Sequence, residues 1–476
     1  MTQIMLCSDH QTPAVREAAS VVGGLCYDPS ALSSIPDGTQ QLVIGLHGDD
    51  ADSSRFQSSM RRIGLDPLGV GVVDLNGITD ERTLSAILAG AVARTEAFPG
   101  ATPEQAKLVP ASRVSRRGLL TAAALLSIGA PSIDIEICVA DQGCRACVTS
   151  CPVGALEWKG GSVSYDKTTC VACGICVTTC PVGAVVNPTV TFQAIEAQIA
   201  AMIEAHGDPV GILFHCRGVT QAPVESGWLG VEVPCSGMLT AGWLLATLTM
   251  GAVATDVMPC QEAGCRLGND ERIAATLTDA TRVLEAFGLG SERIGRPADA
   301  SLPTLPLPLP PTPTSGPIFG PDVEQTVIGL LASTVQTHSA AARLEATPLG
   351  TVAIDPTTCT ACSMCAQICP TGALHSTSTG DIVIDLDPRL CVACAQCVRV
   401  CPEIERGAIS MSTGFDLADW ARGRREMRRD SVPQCEGCGK PVAPSAMLER
   451  ITAMLGSEHA ATATILRTRC LDCRGR

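Results

Sequence analysis

Aromatic residues make up only 3% of this 476-residue chain, and Tyr occurs twice. Packing must therefore come mainly from Ala, Val, Leu and Ile. Basic side chains are outnumbered, 34 Lys and Arg against 48 Asp and Glu, for a formal net charge of −14. Binding to phosphate backbones needs the opposite sign, so nucleic acid is not an expected partner. A protein with a basic docking patch is the kind of partner such a surface would steer. No apolar run reaches the roughly 20 residues of a membrane-spanning helix. Met1–His10 has no basic region followed by an apolar core, so no export signal is read there. No G-x-G-x-x-G lies between a strand and a helix, so the dinucleotide fingerprint is missing. The length predicts about three or four domains.

Cysteine, by contrast, occurs 26 times. Sixteen of these fall into four runs, three of which read C-x2-C-x2-C-x3-C-P. These are Cys170, Cys173, Cys176, Cys180; Cys359, Cys362, Cys365, Cys369; and Cys391, Cys394, Cys397, Cys401. The remaining run is stretched at its first gap: Cys138, Cys144, Cys147, Cys151. Such runs bind [4Fe–4S] clusters, and in paired modules the trailing cysteine ligates the neighbouring cluster. The crossed rule predicts four ligand sets: Cys138, Cys144, Cys147 with Cys180; Cys170, Cys173, Cys176 with Cys151; Cys359, Cys362, Cys365 with Cys401; and Cys391, Cys394, Cys397 with Cys369. Zinc needs neither the third cysteine nor the trailing Cys-Pro. Metal-ligand spacing in place of a disulfide framework points to a reducing compartment, so the cytoplasm is the expected location.

An aspartate stands four positions before each run: Asp134, Asp166, Asp355 and Asp387. A Gly-Ala turn follows each run, at Gly154, Gly183, Gly372 and Gly407. This is an internal repeat. The register of Asp134 marks Cys138 as the first ligand despite its long gap.

The fold class expected is α/β and α+β multidomain. Residues 1–110 read as a small α/β domain with a parallel sheet: strands at Gln3–Cys7, Gln41–Leu46 and Gly69–Leu75, helices at 12–22, 52–63 and 80–96. Cys7 and Cys26 lie there without a partner motif and read as buried small hydrophobes, with a redox or ligand role as the alternative. Residues 111–131 are expected to be a linker helix. Their Ser115-Arg116-Arg117-Gly118-Leu119-Leu120 resembles a twin-arginine signal; its internal place favours the linker helix, with export the alternative. The first dicluster ferredoxin module spans 132–189.

Residues 190–297 read as a second α/β parallel-sheet domain, with strands at Val210–Phe214, Leu229–Val233 and Ala252–Val257 and helices at 191–206, 238–250 and 269–288. Cys216, Cys235, Cys260 and Cys265 fall just past strand ends, where ligand sites form in open parallel sheets. Four thiolates there suit a [2Fe–2S] cluster; the alternative is four buried cysteines. His47 and His215 read as structural, with tuning or ligation of the middle cluster as the alternative for His215.

Residues 298–321 are a Pro-rich linker, expected to be extended polyproline II spanning roughly 60–70 Å. One amphipathic helix is expected over 322–346, within a 322–349 segment. The second dicluster module spans 350–412. The tail, 413–476, holds Cys435, Cys438, Cys470 and Cys473, whose paired knuckles suggest a zinc-ribbon-like closed site with an inserted helix at 443–455. Iron and free thiols are the alternatives. Arg422, Arg424, Arg425, Arg428 and Arg429 read as a solvated helix face; docking onto an acidic partner is the other reading.

His215-Cys216-Arg217, Pro234-Cys235-Ser236-Gly237, Pro259-Cys260 through Cys265, and Gly268-Asn269 resemble the delta subunit of methyl-viologen-reducing hydrogenase, a family also fused to heterodisulfide reductase subunits. The resemblance implies a [2Fe–2S] domain passing electrons between flavin or hydrogenase modules and a partner. Arg266-Leu267 depart from its pattern. Val43-Ile44-Gly45 and Arg61–Asp66 resemble the N-terminal part of a heterodisulfide reductase component. The internal Ser-Arg-Arg-Gly-Leu-Leu, the two dicluster modules and the tail around Cys438-Gly439-Lys440-Pro441 and Leu471-Asp472-Cys473-Arg474 resemble bacterial polyferredoxins encoded with molybdenum or tungsten formate dehydrogenases. The function implied is electron relay between a formate dehydrogenase- or hydrogenase-like enzyme and an acceptor. Two alternatives are a catalytic, heterodisulfide-reductase-like component using Cys260 and Cys265 as a redox pair, and an assembly or maturation factor for a formate dehydrogenase.

Overall fold

The computed structural model describes residues 2–6, 26–27, 41–46, 65–75, 78, 80–101, 105–110, 125–217, 219, 227–258, 260, 265–297, 302–309, 316–334, 343–344, 349–378 and 380–474. These fall into two compact units, one within 1–140 and 145–337, the other within 141–144 and 338–476.

The first unit opens with four parallel strands in the order Cys26–Tyr27, Thr2–Leu6, Gln41–Leu46, Val70–Asp74. Leu42, Val43 and Ile44 are wholly buried, as expected for a parallel strand covered on both faces. The helix Glu81–Glu96 is capped by Asp80, which accepts from the Thr83 amide at 2.8 Å. Leu84, Leu88, Ala91 and Val92 pack it onto Val43 and Leu75. The same helix crosses Phe192–His206 so closely that a Cβ on Gly90 would lie 2.4 Å from Met202 Cγ. The expected helices at 12–22 and 52–63, with Cys7, His47 and the Cys26 side chain, lie outside the described residues.

The expected linker helix over 111–131 is corrected in part: Leu125–Gly129 is a strand paired antiparallel with Ala106–Pro110. Helix propensity is a weak prior, and pairing with an apolar partner strand overrides it. Residues 111–124, including Arg116 and Arg117, lie outside the described residues.

The first cysteine-rich module is closed by Ser132–Ile133 pairing with Val185–Val186 and carries the hairpin Leu156–Lys159/Ser162–Tyr165. The middle domain is a parallel sheet in the order Trp228–Val233, Gly211–Cys216, Ala254–Met258, Ile294–Gly295. Its core gathers scarce aromatics: Trp243 meets Phe192 and Phe214 at tilted angles and Phe319 edge-on, the last with centroids 5.1 Å apart.

Phe319 belongs to the segment expected to be an extended Pro-rich linker. Instead, Leu302 is buried against Leu213, Trp228 and Ala254, and Trp228 Nε1 donates to the Pro303 carbonyl at 3.0 Å. The amides of Ile318 and Phe319 donate to the Glu196 carboxylate at 2.9 and 3.1 Å. An extended Leu-Pro chain has no internal hydrogen bonds, so its leucines and carbonyls are free to strap onto the domain. The helix expected over 322–346 is shorter, Val323–Thr334. Arg343–Leu344 is instead a strand paired with Phe415–Asp416.

In the second unit Gly350–Ile354 pairs with Ile409–Thr413, and the hairpin Leu374–Thr377/Ile382–Leu386 gains a third strand, Arg425–Asp430. This corrects the reading of the arginine run as a helix face. Arg422 ends the helix Leu417–Arg422, while Arg425, Arg428 and Arg429 lie on the added strand. There they pair with Asp419, Asp430 and Glu426 at 3.1, 3.3 and 2.5 Å. Acidic neighbours within the tail thus make arginines on a strand acceptable. The tail is also not a β-ribbon among the described residues: an isolated bridge, Gln434–Pro441, is followed by two helices, Ser445–Leu455 and Ala460–Thr468. The sequence reading contains only the first of them.

Candidate iron–sulfur sites

Each aspartate before a cysteine run makes an Asx turn. Side-chain oxygens of Asp134, Asp166, Asp355 and Asp387 accept from the amide two residues on, at 2.9, 2.8, 2.8 and 3.1 Å. Their own amides reach across the repeat. Asp134 donates to the Ala184 carbonyl at 2.8 Å, Asp166 to Ala155 at 2.8 Å, Asp355 to Ala408 at 3.1 Å, and Asp387 to Ala373 at 2.8 Å. In the first module the amides of Ala155 and Ala184 in turn donate to Cys151 Sγ at 3.3 Å and Cys180 Sγ at 3.2 Å. The trailing cysteine of each run is thereby anchored to the start of the other run.

Within the runs the backbone is strained in a repeated pattern. All five non-glycine residues with positive φ among the described residues lie inside these loops: Ala172, Ala361, Ser363, Ala393 and Ala395, at 49 to 62°. Gly174, at φ +81°, occupies the place of Ser363 and Ala395. Alternation of right- and left-handed residues turns successive amides inward, making a nest for an anionic group, and such strain concentrates at functional sites. The stretched run has Gly143 in the left-handed region, at φ +88°, but Arg145 is not, at −135°. Arg145 stacks over Trp158 at 4.1 Å, and Trp158 Nε1 donates to the Ala140 carbonyl at 2.9 Å, folding the longer gap back.

In the second module the eight cysteines line two cavities. One is walled by Cys359, Cys362, Cys365 and Cys401, with Ile354 and Ile384. The other is walled by Cys369, Cys391, Cys394 and Cys397, with Val352 and Leu386. In the first module Cys147, Cys176 and Cys180 share one buried cluster, with Cys138 and Cys151 packed against it. Cys144 is not in that cluster; it lies in the 141–144 stretch that falls with the second unit.

Burial pushes Cys173 and Cys391 up to about 11, and Cys365 and Cys397 up to about 12, with neighbouring thiolates adding to the rise. Such thiols stay protonated at neutral pH unless metal displaces the proton. Converging thiols, inward amides and apolar walls fit an iron–sulfur cluster.

In the middle domain Cys216 ends a strand, and Cys235 and Cys260 follow the ends of its two neighbours, so the thiols meet at the carboxyl edge of the sheet. Cys216 Sγ lies 3.0 Å from both the amide and the hydroxyl of Ser236. Hydrogen bonding from the Cys235 thiol, then Ser236, lowers Cys216 to about 6, while the same contact raises Cys235. Cys235 Sγ receives the Gly237 amide at 3.4 Å and the Asn269 side-chain amide at 3.7 Å, and Cys260 Sγ receives the Arg266 amide at 3.4 Å. Cys265 lies within electrostatic reach of Cys235 and Cys260. This too is a donor set that fits a cluster. His215 Nδ1 sits 3.4 Å from the Cys216 carbonyl, and burial lowers its pKa.

The tail thiols differ. Cys435, Cys438, Cys470 and Cys473 have sulfurs all within 4.8 Å of one another, the only such group among the described residues. Zinc–sulfur bonds of about 2.3 Å place thiolates roughly 3.8 Å apart; Cys438 and Cys470 are 3.5 Å apart. The cage fits a single ion.

The left-handed conformation of the alanines carries no sequence signal, whereas Ser236 and Asn269 stand in the stretches Pro234–Gly237 and Gly268–Asn269 already singled out. The small residue after the second cysteine of three runs is the one visible trace.

Residues 137–184 and 357–406 each match the 4Fe-4S dicluster domain, and 215–298 match the methyl-viologen-reducing hydrogenase delta subunit. No curated protein matches the chain. Nested loops, paired repeats and these matches define an iron–sulfur electron-transfer protein of the ferredoxin type, with at least two [4Fe–4S] clusters. More particularly, the two matched dicluster domains stand, along the sequence, on either side of a middle domain similar to that hydrogenase delta subunit, an arrangement like that of polyferredoxins. No helix among the described residues is long and apolar enough to cross a membrane.

Proposed function

We propose that the chain relays electrons between a redox enzyme of the formate dehydrogenase or hydrogenase kind and an acceptor. It does so through four [4Fe–4S] clusters, one [2Fe–2S] cluster and a structural zinc. The four [4Fe–4S] ligand sets are Cys138, Cys144, Cys147, Cys180; Cys170, Cys173, Cys176, Cys151; Cys359, Cys362, Cys365, Cys401; and Cys391, Cys394, Cys397, Cys369. Cys216, Cys235, Cys260 and Cys265 hold the [2Fe–2S] cluster, and Cys435, Cys438, Cys470 and Cys473 the zinc. The observation that carries this reading is the sorting of the second module's cysteines into two cavities, each taking three thiols from one run and one from the other.

Bound clusters supply one-electron redox sites. The protein's part is to hold and tune them. Thiolates ligate, amides of residues such as Ala155, Ala184 and Leu374 donate to sulfur, and apolar walls keep water away. In the middle domain a catalytic dithiol would need two thiols, whereas Cys216, Cys235 and Cys260 gather at the strand ends with Cys265 in electrostatic reach of the last two, which favours ligation over disulfide chemistry.

The test is anaerobic native purification, followed by addition of formate or hydrogen to whatever complex is recovered. Bleaching of the visible iron–sulfur absorbance by either donor supports the reading. Flavin absorbance, with disulfide reduction by the isolated chain, would replace it with the enzymatic one.

A further inference from the structure

The helix Ile175–Thr179, which leads out of the second cysteine run, packs on the turn Ser236–Met238 that follows Cys235. Thr178 Oγ1 donates to the Met238 carbonyl at 2.6 Å. A Cβ on Gly174 would lie 2.8 Å from Met238 Sδ, so the Met238 side chain fills the space beside this glycine. The loop carrying Cys173 and Cys176 therefore stands directly against the loop carrying Cys235.

Arg272 bridges this seam. From the helix Asp270–Ala286, its Nε donates to the Gly237 carbonyl at 2.7 Å and one Nη to Thr179 Oγ1 at 3.2 Å. Both partners are neutral, and among the described residues Arg272 has no carboxylate at ion-pair distance. A half-buried guanidinium needs countercharge. The groups whose negative charge would act on it, once they are ligating thiolates, are Cys173 on one side and Cys235 on the other.

We propose that Arg272 is a cation shared by two redox sites, set on an electron path from the Cys173–Thr179 loop to the Cys235–Met238 loop. This rests on the reading that both thiol sets hold iron–sulfur clusters. In the step implied, one site loses one electron and the other gains it, with no proton or further reactant. Arginine keeps its charge at any working pH, so it favours the more negative, reduced form of each site. Electron gain by one site weakens its pull on the other. Arg272 is a positioning and tuning residue, not a ligand.

The experiment is potentiometric titration followed by electron paramagnetic resonance on the full-length protein and its Arg272→Gln variant. The [2Fe–2S] signal and one [4Fe–4S] signal are expected to move to lower midpoint, each by about tenfold in its reduction equilibrium, ~59 mV for one electron. The other three [4Fe–4S] signals are expected to stay in place. Unchanged midpoints with iron retained, or an equal shift of every cluster, would overturn the proposal. Should Arg272→Gln lose iron, Arg272→Lys, which keeps the charge, decides: midpoints near the wild-type values support the shared cation, and a fall as large as tenfold contradicts it. Absence of a [2Fe–2S] signal from the unsubstituted protein would contradict the underlying reading, and is recognised before any substitution is made.

Discussion

The amide of Asp134 donates to the carbonyl of Ala184 at 2.8 Å, joining the start of one cysteine run to the turn after the next. The Ala184 amide donates to Cys180 Sγ at 3.2 Å. Two hydrogen bonds thus bring a trailing cysteine to the head of the other run, and the same cross-repeat link recurs at Asp166–Ala155, Asp355–Ala408 and Asp387–Ala373.

Crossed ligation predicts paired phenotypes. Cys359→Ala and Cys401→Ala should alter the same cluster signal, and Cys391→Ala and Cys369→Ala should alter the other. Electron paramagnetic resonance of the four variants after dithionite reduction checks this. Grouping of Cys401 with the 391 run would contradict it.

The middle-domain site predicts that Cys216→Ala loses about two iron atoms per chain and one rhombic signal, while the dicluster signals persist. Iron analysis beside resonance spectra reads this out. Retention of all iron would show that Cys216 is not a ligand.

Removing the proposed zinc should destabilise the tail. Structural zinc contributes folding energy directly, so a chelator or Cys438→Ser should expose the segment around Ser445–Leu455 to proteolysis. The dicluster absorbance should be unaffected. An unchanged digestion pattern would contradict a structural ion.

Asp256 sets a pH dependence. It is 2% exposed with one carboxylate oxygen unpartnered, and burial raises it to about 6. In the unfolded chain it titrates near its ordinary value of 3.8. Between these values the folded state binds more protons, so its contribution to stability falls as pH rises from about 4 to 6 and stays low above that. Asp256→Asn should therefore stabilise the protein at neutral pH, by up to about 3 kcal/mol. Melting curves of wild type and variant should converge below about pH 4. A gain independent of pH would contradict this cause.

The strapped linker makes Leu302 a core residue. Leu302→Ala should cost about 2–4 kcal/mol and open the 298–321 segment to protease. A free spacer would show neither effect.

Much of this was legible in the sequence, for physical reasons. Thiolate spacing is dictated by cluster geometry, so the four runs and the matched dicluster domains coincide. The central middle strand was visible because a parallel strand buried on both faces is a continuous apolar run, as at Gly211–Cys216. What was missed depends on partners distant along the chain. Leu125–Gly129 became a strand by pairing with Ala106–Pro110, Arg425–Asp430 by pairing with Ile382–Leu386, and Leu302 found a pocket beside Trp228. Nothing local to those segments encodes such choices. Arg272 sits in an ordinary amphipathic helix, and only its two neutral partners single it out.

The most direct measurement is iron, zinc and acid-labile sulfide per chain on anaerobically isolated protein. The account predicts about eighteen iron atoms with matching sulfide and about one zinc. A colourless, iron-free preparation, silent in paramagnetic resonance after dithionite, would contradict it.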